Sequence, residues 1–142
     1  MAVDYIRKVH YHETDRMGVT HHSNYIKWME EARIWYLDQL GWGYAKLEAD
    51  GVLSPVTGVE CKYLRATTFD DTVSIRVRVE EFKGVRLIIG YEMADPATGE
   101  TVFTGRSMHC FTSREGKPVI LRRQFPELDR LFRTLAEETT AE

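Results

Sequence analysis

Between Ser23 and Leu40 the large apolar side chains fall at helical spacing. Tyr25, Trp28, Met29, Ala32, Trp35, Tyr36 and Leu40 follow an i, i+3, i+4, i+7 rhythm. Lys27, Glu30, Glu31, Arg33 and Asp38 fill much of the remainder, and Gly41 supplies a C-terminal stop. A helix with so many aromatic rings on one side must bury that side, and this requires a broad apolar partner.

The rest of the chain supplies one. Residues 3–12 read as a strand, with Tyr5, Val9 and Tyr11 at alternate positions. Residues 56–66 read as another, around Val59, Cys61 and Tyr63. Val73, Ile75, Val77 and Val79 alternate with Ser74, Arg76, Arg78 and Glu80, the mark of a half-buried antiparallel strand. Lys83-Gly84 makes a hairpin loop into a strand over 85–94, and the turn Asp95-Pro96-Ala97-Thr98-Gly99 leads into a strand over 101–112. A short helix is expected over 43–49. A closing helix is expected to start at Pro126, with Leu128, Leu131, Phe132 and Leu135 on one side. The order strand, long helix, four strands, terminal helix predicts an α+β chain whose five-stranded antiparallel sheet curls around the long helix. The length of 142 residues suits one domain, 1–142, with a polar tail expected to fray from about 137 to 142.

Charge narrows the function classes. With 22 acidic against 19 basic residues the net charge is −3, which argues against a general nucleic-acid binder. The two cysteines, Cys61 and Cys110, sit in apolar, strand-like stretches and read as reduced thiols; zinc-ligand spacing is absent, and no metal is expected. No apolar run suits a signal peptide or a membrane span, so the expected location is the cytoplasm.

Ordinary structure explains residues 10–25 least well. The segment reads His10-Tyr11-His12-Glu13-Thr14-Asp15-Arg16-Met17-Gly18-Val19-Thr20-His21-His22-Ser23-Asn24-Tyr25, directly before the long helix. The backbone N–H groups at a helix start can bind an anion or polarise a carbonyl whose oxygen turns negative during acyl transfer. A carboxylate opposite them can attack that carbonyl or activate water. Asp15 and the amides near His22 have the chemistry for such a pair. Each residue also has a structural use: Asp and Thr cap helices and form turns, Gly18 can serve a turn, Asn24 can order the loop, and Tyr25 can belong to the core. Phosphate recognition calls for cations, for which Arg65, Lys83 and Arg86 are candidates near strand ends and turns, with Arg106, Arg114 and Lys117.

Tyr11-x-x-Thr14-Asp15-x-x-Gly18-x-x-x-His22-x-Asn24-Tyr25, followed by Trp28 and Glu31-Ala32-Arg33, resembles the hotdog-fold thioesterases of the 4-hydroxybenzoyl-CoA and YbgC-like type. The resemblance covers roughly residues 3–125. It implies a hotdog fold and hydrolysis of an acyl-CoA thioester, with CoA as part of the substrate and no separate cofactor. It also implies homodimers that assemble into tetramers, with sites at the dimer interface. Asp15 becomes the catalytic carboxylate, and the His22 backbone amide becomes the group that polarises the carbonyl. Tyr11 and His22 match a functional tyrosine and histidine, and Gly18, Val19, Asn24 and Tyr25 fall in the substrate-binding block. The chain departs from the pattern at Glu13, where many relatives have Asp, at His21, where many have Tyr, and at Arg16-Met17, where small residues are common. Three rival readings are a hotdog protein that binds acyl thioesters without turnover, a hydrolase of acyl-carrier-protein thioesters, and a 3-hydroxyacyl dehydratase, whose His and carboxylate arrangement this block matches poorly. A structural protein with no ligand is a fourth.

Overall fold

A computed structural model of the chain describes residues 4–142. The first residue of the expected opening strand, residue 3, lies outside the described residues. The elements are β1 (Tyr5–Lys8), a 3-10 turn (Tyr11–Glu13), α1 (Ser23–Gln39), α2 (Tyr44–Ala49), β2 (Val56–Tyr63), β3 (Thr72–Phe82), β4 (Leu87–Ala94), β5 (Thr101–His109), α3 (Leu121–Gln124) and α4 (Pro126–Ala141). The strands form one five-stranded sheet in the order β1-β3-β4-β5-β2, which leaves β1 and β2 at its edges. Among the described residues, no helix is long and apolar enough to cross a membrane.

Contacts divide the chain into two compact units. One comprises Met1–Tyr36, Cys61–Val77 and Tyr91–Gly105; the other comprises Leu37–Glu60, Arg78–Gly90 and Arg106–Glu142. In the first, β1 pairs antiparallel with β3 from Tyr5↔Ile75 to Lys8↔Thr72. Its core gathers Tyr25, Trp28, Met29 and Ala32 of α1 with Val73, Ile75, Tyr91, Met93, Val102 and Phe103 of the sheet, all buried. From Tyr25 to Ala32 the helical rhythm marks the buried side, while Trp35 and Tyr36 further along it are only partly buried. Tyr25 stacks on Phe103 with ring centres 5.0 Å apart. Arg33, counted among the polar filling of the helix, is buried instead, and its Nη1 donates to the Tyr91 hydroxyl at 3.1 Å.

Gly105 shows how closely α1 approaches the sheet. A β-carbon there would lie 2.7 Å from the Met29 sulfur and 2.8 Å from the Phe103 ring.

The second unit holds α2, α3 and α4. Phe82, Phe111 and Phe132 cluster with ring centres 5.4 to 6.4 Å apart, and the Arg133 guanidinium lies 5.3 Å from the Phe82 ring centre. Helix α4 opens at Pro126 as expected, with Leu128 and Phe132 buried.

Two expectations need correction. The opening strand ends at Lys8, so Tyr11 does not lie on it. The reason is local: the Glu13 carboxylate accepts the His10 N–H at 2.8 Å and winds the chain into a 3-10 turn. The polar tail is helical to Ala141 rather than frayed. Thr139 and Thr140 return hydroxyl bonds to the carbonyls of Leu135 and Ala136, and Glu142 pairs with Arg78 at 3.0 Å.

Gly105→Ala is expected to lower stability by about 1–3 kcal/mol through overpacking, measured as a shift of the urea midpoint at constant m value.

Candidate active site

The loop between β1 and α1 hangs from one buried carboxylate. Glu13 is 4% exposed, and the Arg7 guanidinium grips it with two bonds of 2.8 Å, Nη1 to Oε1 and Nη2 to Oε2. Arg7 Nε donates to Glu31 on α1 at 2.8 Å, and Trp28 Nε1 donates to Glu13 Oε2 at 2.9 Å. Burial alone would raise the Glu13 pKa; the donors from Arg7, His10 and Trp28 outweigh it and bring the value down to about 2. Burial likewise works against the Arg7 charge, and its two carboxylate partners overcome it, raising its pKa.

Glu13 also closes the neck of the loop with its main chain. Its carbonyl accepts the His21 N–H at 2.8 Å and the Asn24 side-chain amide at 2.9 Å. Beyond the neck, Thr14 and Thr20 form an isolated antiparallel bridge. The tip is a turn: Asp15 N–H donates to Val19 O, and Gly18 N–H donates to Asp15 O, each at 2.9 Å. Gly18 sits at φ +79°, where a side chain would be strained.

Asp15 is half-buried in this turn. Its Oδ1 accepts the Met17 N–H at 2.9 Å, which fixes the carboxylate in orientation. Oδ2 has no protein donor among the described residues. His22 is exposed and directly precedes α1; its own N–H has no acceptor among the described residues. The His22 carbonyl accepts the Tyr63 hydroxyl at 3.0 Å. Burial, then interaction with Cys61, pushes the Tyr63 phenol up to about 12, so it remains a proton donor.

The other expected site residues divide into groups. Asp15, Gly18 and Val19 share the turn. Tyr11 stands just before it, 77% exposed, with its ring edge-on to Phe69 at 5.4 Å. Asn24 and Tyr25 are buried and have partners within the protein: Asn24 binds the loop neck, and Tyr25 bonds Thr67 at 2.8 Å. Arg65 pairs with Glu100 and lines a cleft of about 450 Å³ together with Asp70, Asp71 and Asp95, so an anionic ligand there would meet more negative than positive charge. Lys83 and Arg86 belong to the other unit, where Lys83 N–H donates to Arg86 O at the β3–β4 hairpin and the Lys83 ammonium pairs with Glu81.

His10, His12 and Glu13 bring potential metal-ligand atoms within 4.8 Å of one another. Both Glu13 oxygens are already held by Arg7, whose charge opposes a cation there. Cys61 and Cys110 are both free thiols.

Sequence reasoning did not find Arg7, Glu13 as an anchor, or Thr67. Arg7 shares a strand face with Tyr5 and Val9, but its partners Glu13 and Glu31 cannot be read from the alternation, and Thr67 lies in a polar connection. The capping spacing of His10 and Glu13 was the available signal for the 3-10 turn.

Comparisons with known proteins identify the fold and the family. Residues 9–133 match the thioesterase-like superfamily. YneP of Bacillus subtilis, provisionally named an acyl-CoA thioesterase, is 35% identical over 84% of this chain and 87% of its own length. The acyl-CoA thioesterase YbgC of Haemophilus influenzae is 30% identical over 57% of this chain and 60% of its own. A DHNA-CoA thioesterase from Staphylococcus aureus superposes with a TM-score of 0.92 at 30% identity, covering 99% of this chain and 94% of that one. The fold is therefore the hotdog fold. The chain belongs to the thioesterase-like superfamily.

Glu13→Gln is expected to destabilise the protein by about 3 kcal/mol, because it leaves the half-buried Arg7 charge with only one of its two carboxylate partners. In the wild type, the folded Glu13 pKa of about 2 lies below its ordinary 4.5. Its contribution is therefore full above pH 4.5 and is lost as pH falls towards 2. Denaturant titrations across that window should show a shallower acid decline in Glu13→Gln.

Proposed function

We propose that this chain is an acyl-CoA thioesterase, cleaving the thioester to CoA and a free carboxylic acid. The observation that carries the reading is the Asp15 carboxylate, held by one oxygen in a tight turn while the other has no protein donor among the described residues, on the loop that leads into α1. In this scheme the thioester carbonyl accepts the His22 N–H at the helix start. Asp15 then attacks the carbonyl carbon, or removes a proton from a water that does. The carbon–sulfur bond breaks, and CoA leaves as the thiolate. Where Asp15 attacks directly, water hydrolyses the resulting acyl anhydride and restores the carboxylate. The amides at the helix start stabilise the negative oxygen of the transition state, and each such donor contributes about 2.7–4 kcal/mol. The scheme requires no metal and no cofactor beyond the CoA of the substrate. Names of similar proteins, YneP and YbgC among them, support the substrate class.

Homodimerisation through β2 is part of this reading. β2 is an edge strand, and Val56, Val59, Tyr63 and the adjoining Leu64 are 40–58% exposed. An apolar edge of that kind invites pairing with another strand, and a second copy offers the same edge. Tyr63 ties this strand to the His22 carbonyl, so pairing there would support the helix start.

Asp15→Asn keeps an oxygen for the Met17 N–H but removes the base and nucleophile. It is expected to lower kcat by at least about 100-fold with an unchanged melting temperature, measured by thiol release from a panel of short, medium, long and aryl acyl-CoAs. Normal turnover would remove Asp15 from the mechanism. Binding without turnover in the wild type would favour the non-catalytic binding protein. Val59→Lys is expected to shift the protein towards monomer in sedimentation equilibrium; an unchanged mass would place the contact elsewhere.

A further inference from the structure

Thr67 lies in the connection between β2 and β3, 5% exposed, and is distant in sequence from every candidate site residue except Arg65. Its side chain and carbonyl meet two elements of the candidate site. Thr20 N–H donates to the Thr67 carbonyl at 2.8 Å, and the Thr20 hydroxyl donates to the same carbonyl at 3.2 Å. The hydroxyls of Thr20 and Thr67 lie 2.6 Å apart, and those of Thr67 and Tyr25 lie 2.8 Å apart.

One set of directions makes all three hydroxyl contacts hydrogen bonds at once. A hydroxyl has one proton to give. The Thr20 proton goes to the Thr67 carbonyl, so Thr20 Oγ1 accepts from Thr67. The Thr67 proton is then spent, so Thr67 Oγ1 accepts from Tyr25. Each hydroxyl donates once, and the set of Tyr25, Thr67 and Thr20 is closed and satisfied.

Thr20 is the far side of the bridge with Thr14, next to Asp15. Tyr25 is in the first turn of α1, next to the helix start. The neighbouring Thr68 hydroxyl donates to the Gly18 carbonyl at 2.7 Å, within the turn itself. One connection therefore holds both the carboxylate turn and the helix that follows it.

We propose that Thr67 is a positioning residue for the hydrolytic reaction, its hydroxyl setting the placement of the Asp15 turn relative to the N-terminus of α1. This rests on the reading of Asp15 and His22 given above. Attack on a carbonyl depends steeply on the placement of the nucleophile, and a shift of about 1 Å costs on the order of 100-fold. Valine at this site keeps the shape and breaks the set by removing its central proton and acceptor. Serine keeps the hydroxyl.

The test compares wild type, Thr67→Val, Thr67→Ser and Asp15→Asn, each assayed well below its melting temperature. Thr67→Val should lower kcat by roughly 10- to 100-fold with KM within about twofold, and Thr67→Ser should recover most of the loss. Amide hydrogen exchange at Asp15, Gly18 and Thr20 should speed up by roughly tenfold in Thr67→Val, the equivalent of about one net hydrogen bond, and return towards wild type in Thr67→Ser. A folded Thr67→Val with wild-type kcat and wild-type exchange overturns the proposal, as does failure of serine to restore turnover. If Asp15→Asn hydrolyses normally, the Asp15 reading fails, and the exchange rates alone decide whether Thr67 holds the turn. If Asp15→Asn is inactive while Thr67→Val turns over normally, only the role of Thr67 fails.

Discussion

A single guanidinium sets the frame for the candidate site. Arg7 on β1 donates to Glu13 in the 3-10 turn and to Glu31 on α1, and lies 5.4 Å from the Trp28 ring centre. Removing these charges from water is costly, and the geometry offsets the cost only because the donors and acceptors match one another. Strand, turn and helix are thereby joined at one point. The loop that follows, residues 14–22, can leave the core and return without losing register, because Glu13 also receives His21 and Asn24 on its carbonyl.

From that anchor the site is held on several sides. The Thr14–Thr20 bridge and the Thr67 hydroxyl set act on the carboxylate turn, while Tyr63 acts on the residue before α1. Such support matters under the proposed mechanism, in which the Asp15 carboxylate and a helix-start amide of the same loop act together, because loops left to themselves wander on the scale that chemistry cannot tolerate. The polar contacts also explain why a segment with so little apolar content is ordered: the backbone N–H groups of Thr14, Asp15, Met17, Gly18, Thr20 and His21 all find acceptors.

Much of this architecture was legible in the residues. The helical rhythm from Tyr25 to Ala32 and the alternation from Val73 to Val79 are direct consequences of burying one side of an element, whereas Trp35, Tyr36 and Leu40 are only partly buried and Leu40 lies past the end of α1. Positive φ at Gly18 and Gly41 agrees with the breakers expected there. What escaped was polar and non-local. Arg33 looks like surface charge until Tyr91 is seen beside it, and Thr67 looks like linker until Thr20 and Tyr25 converge on it. Periodicity reports burial of apolar groups and is silent on which buried polar groups will find one another across 40 or more positions of sequence. The early end of β1 belongs to the same class, since a side-chain carboxylate outcompeted the strand ladder for a backbone amide.

The loop's construction separates two kinds of residue. Glu13, Thr20 and Asn24 at the neck are buried and satisfied, whereas Arg16 and Met17 at the tip are exposed, Met17 to 79%. Side chains at the tip can therefore be exchanged with little effect on folding. Selection acting on what the loop touches is thus largely decoupled from selection acting on whether the chain folds. A lineage built on this neck is free to change the surface of the Arg16-Met17 tip while its frame stays fixed.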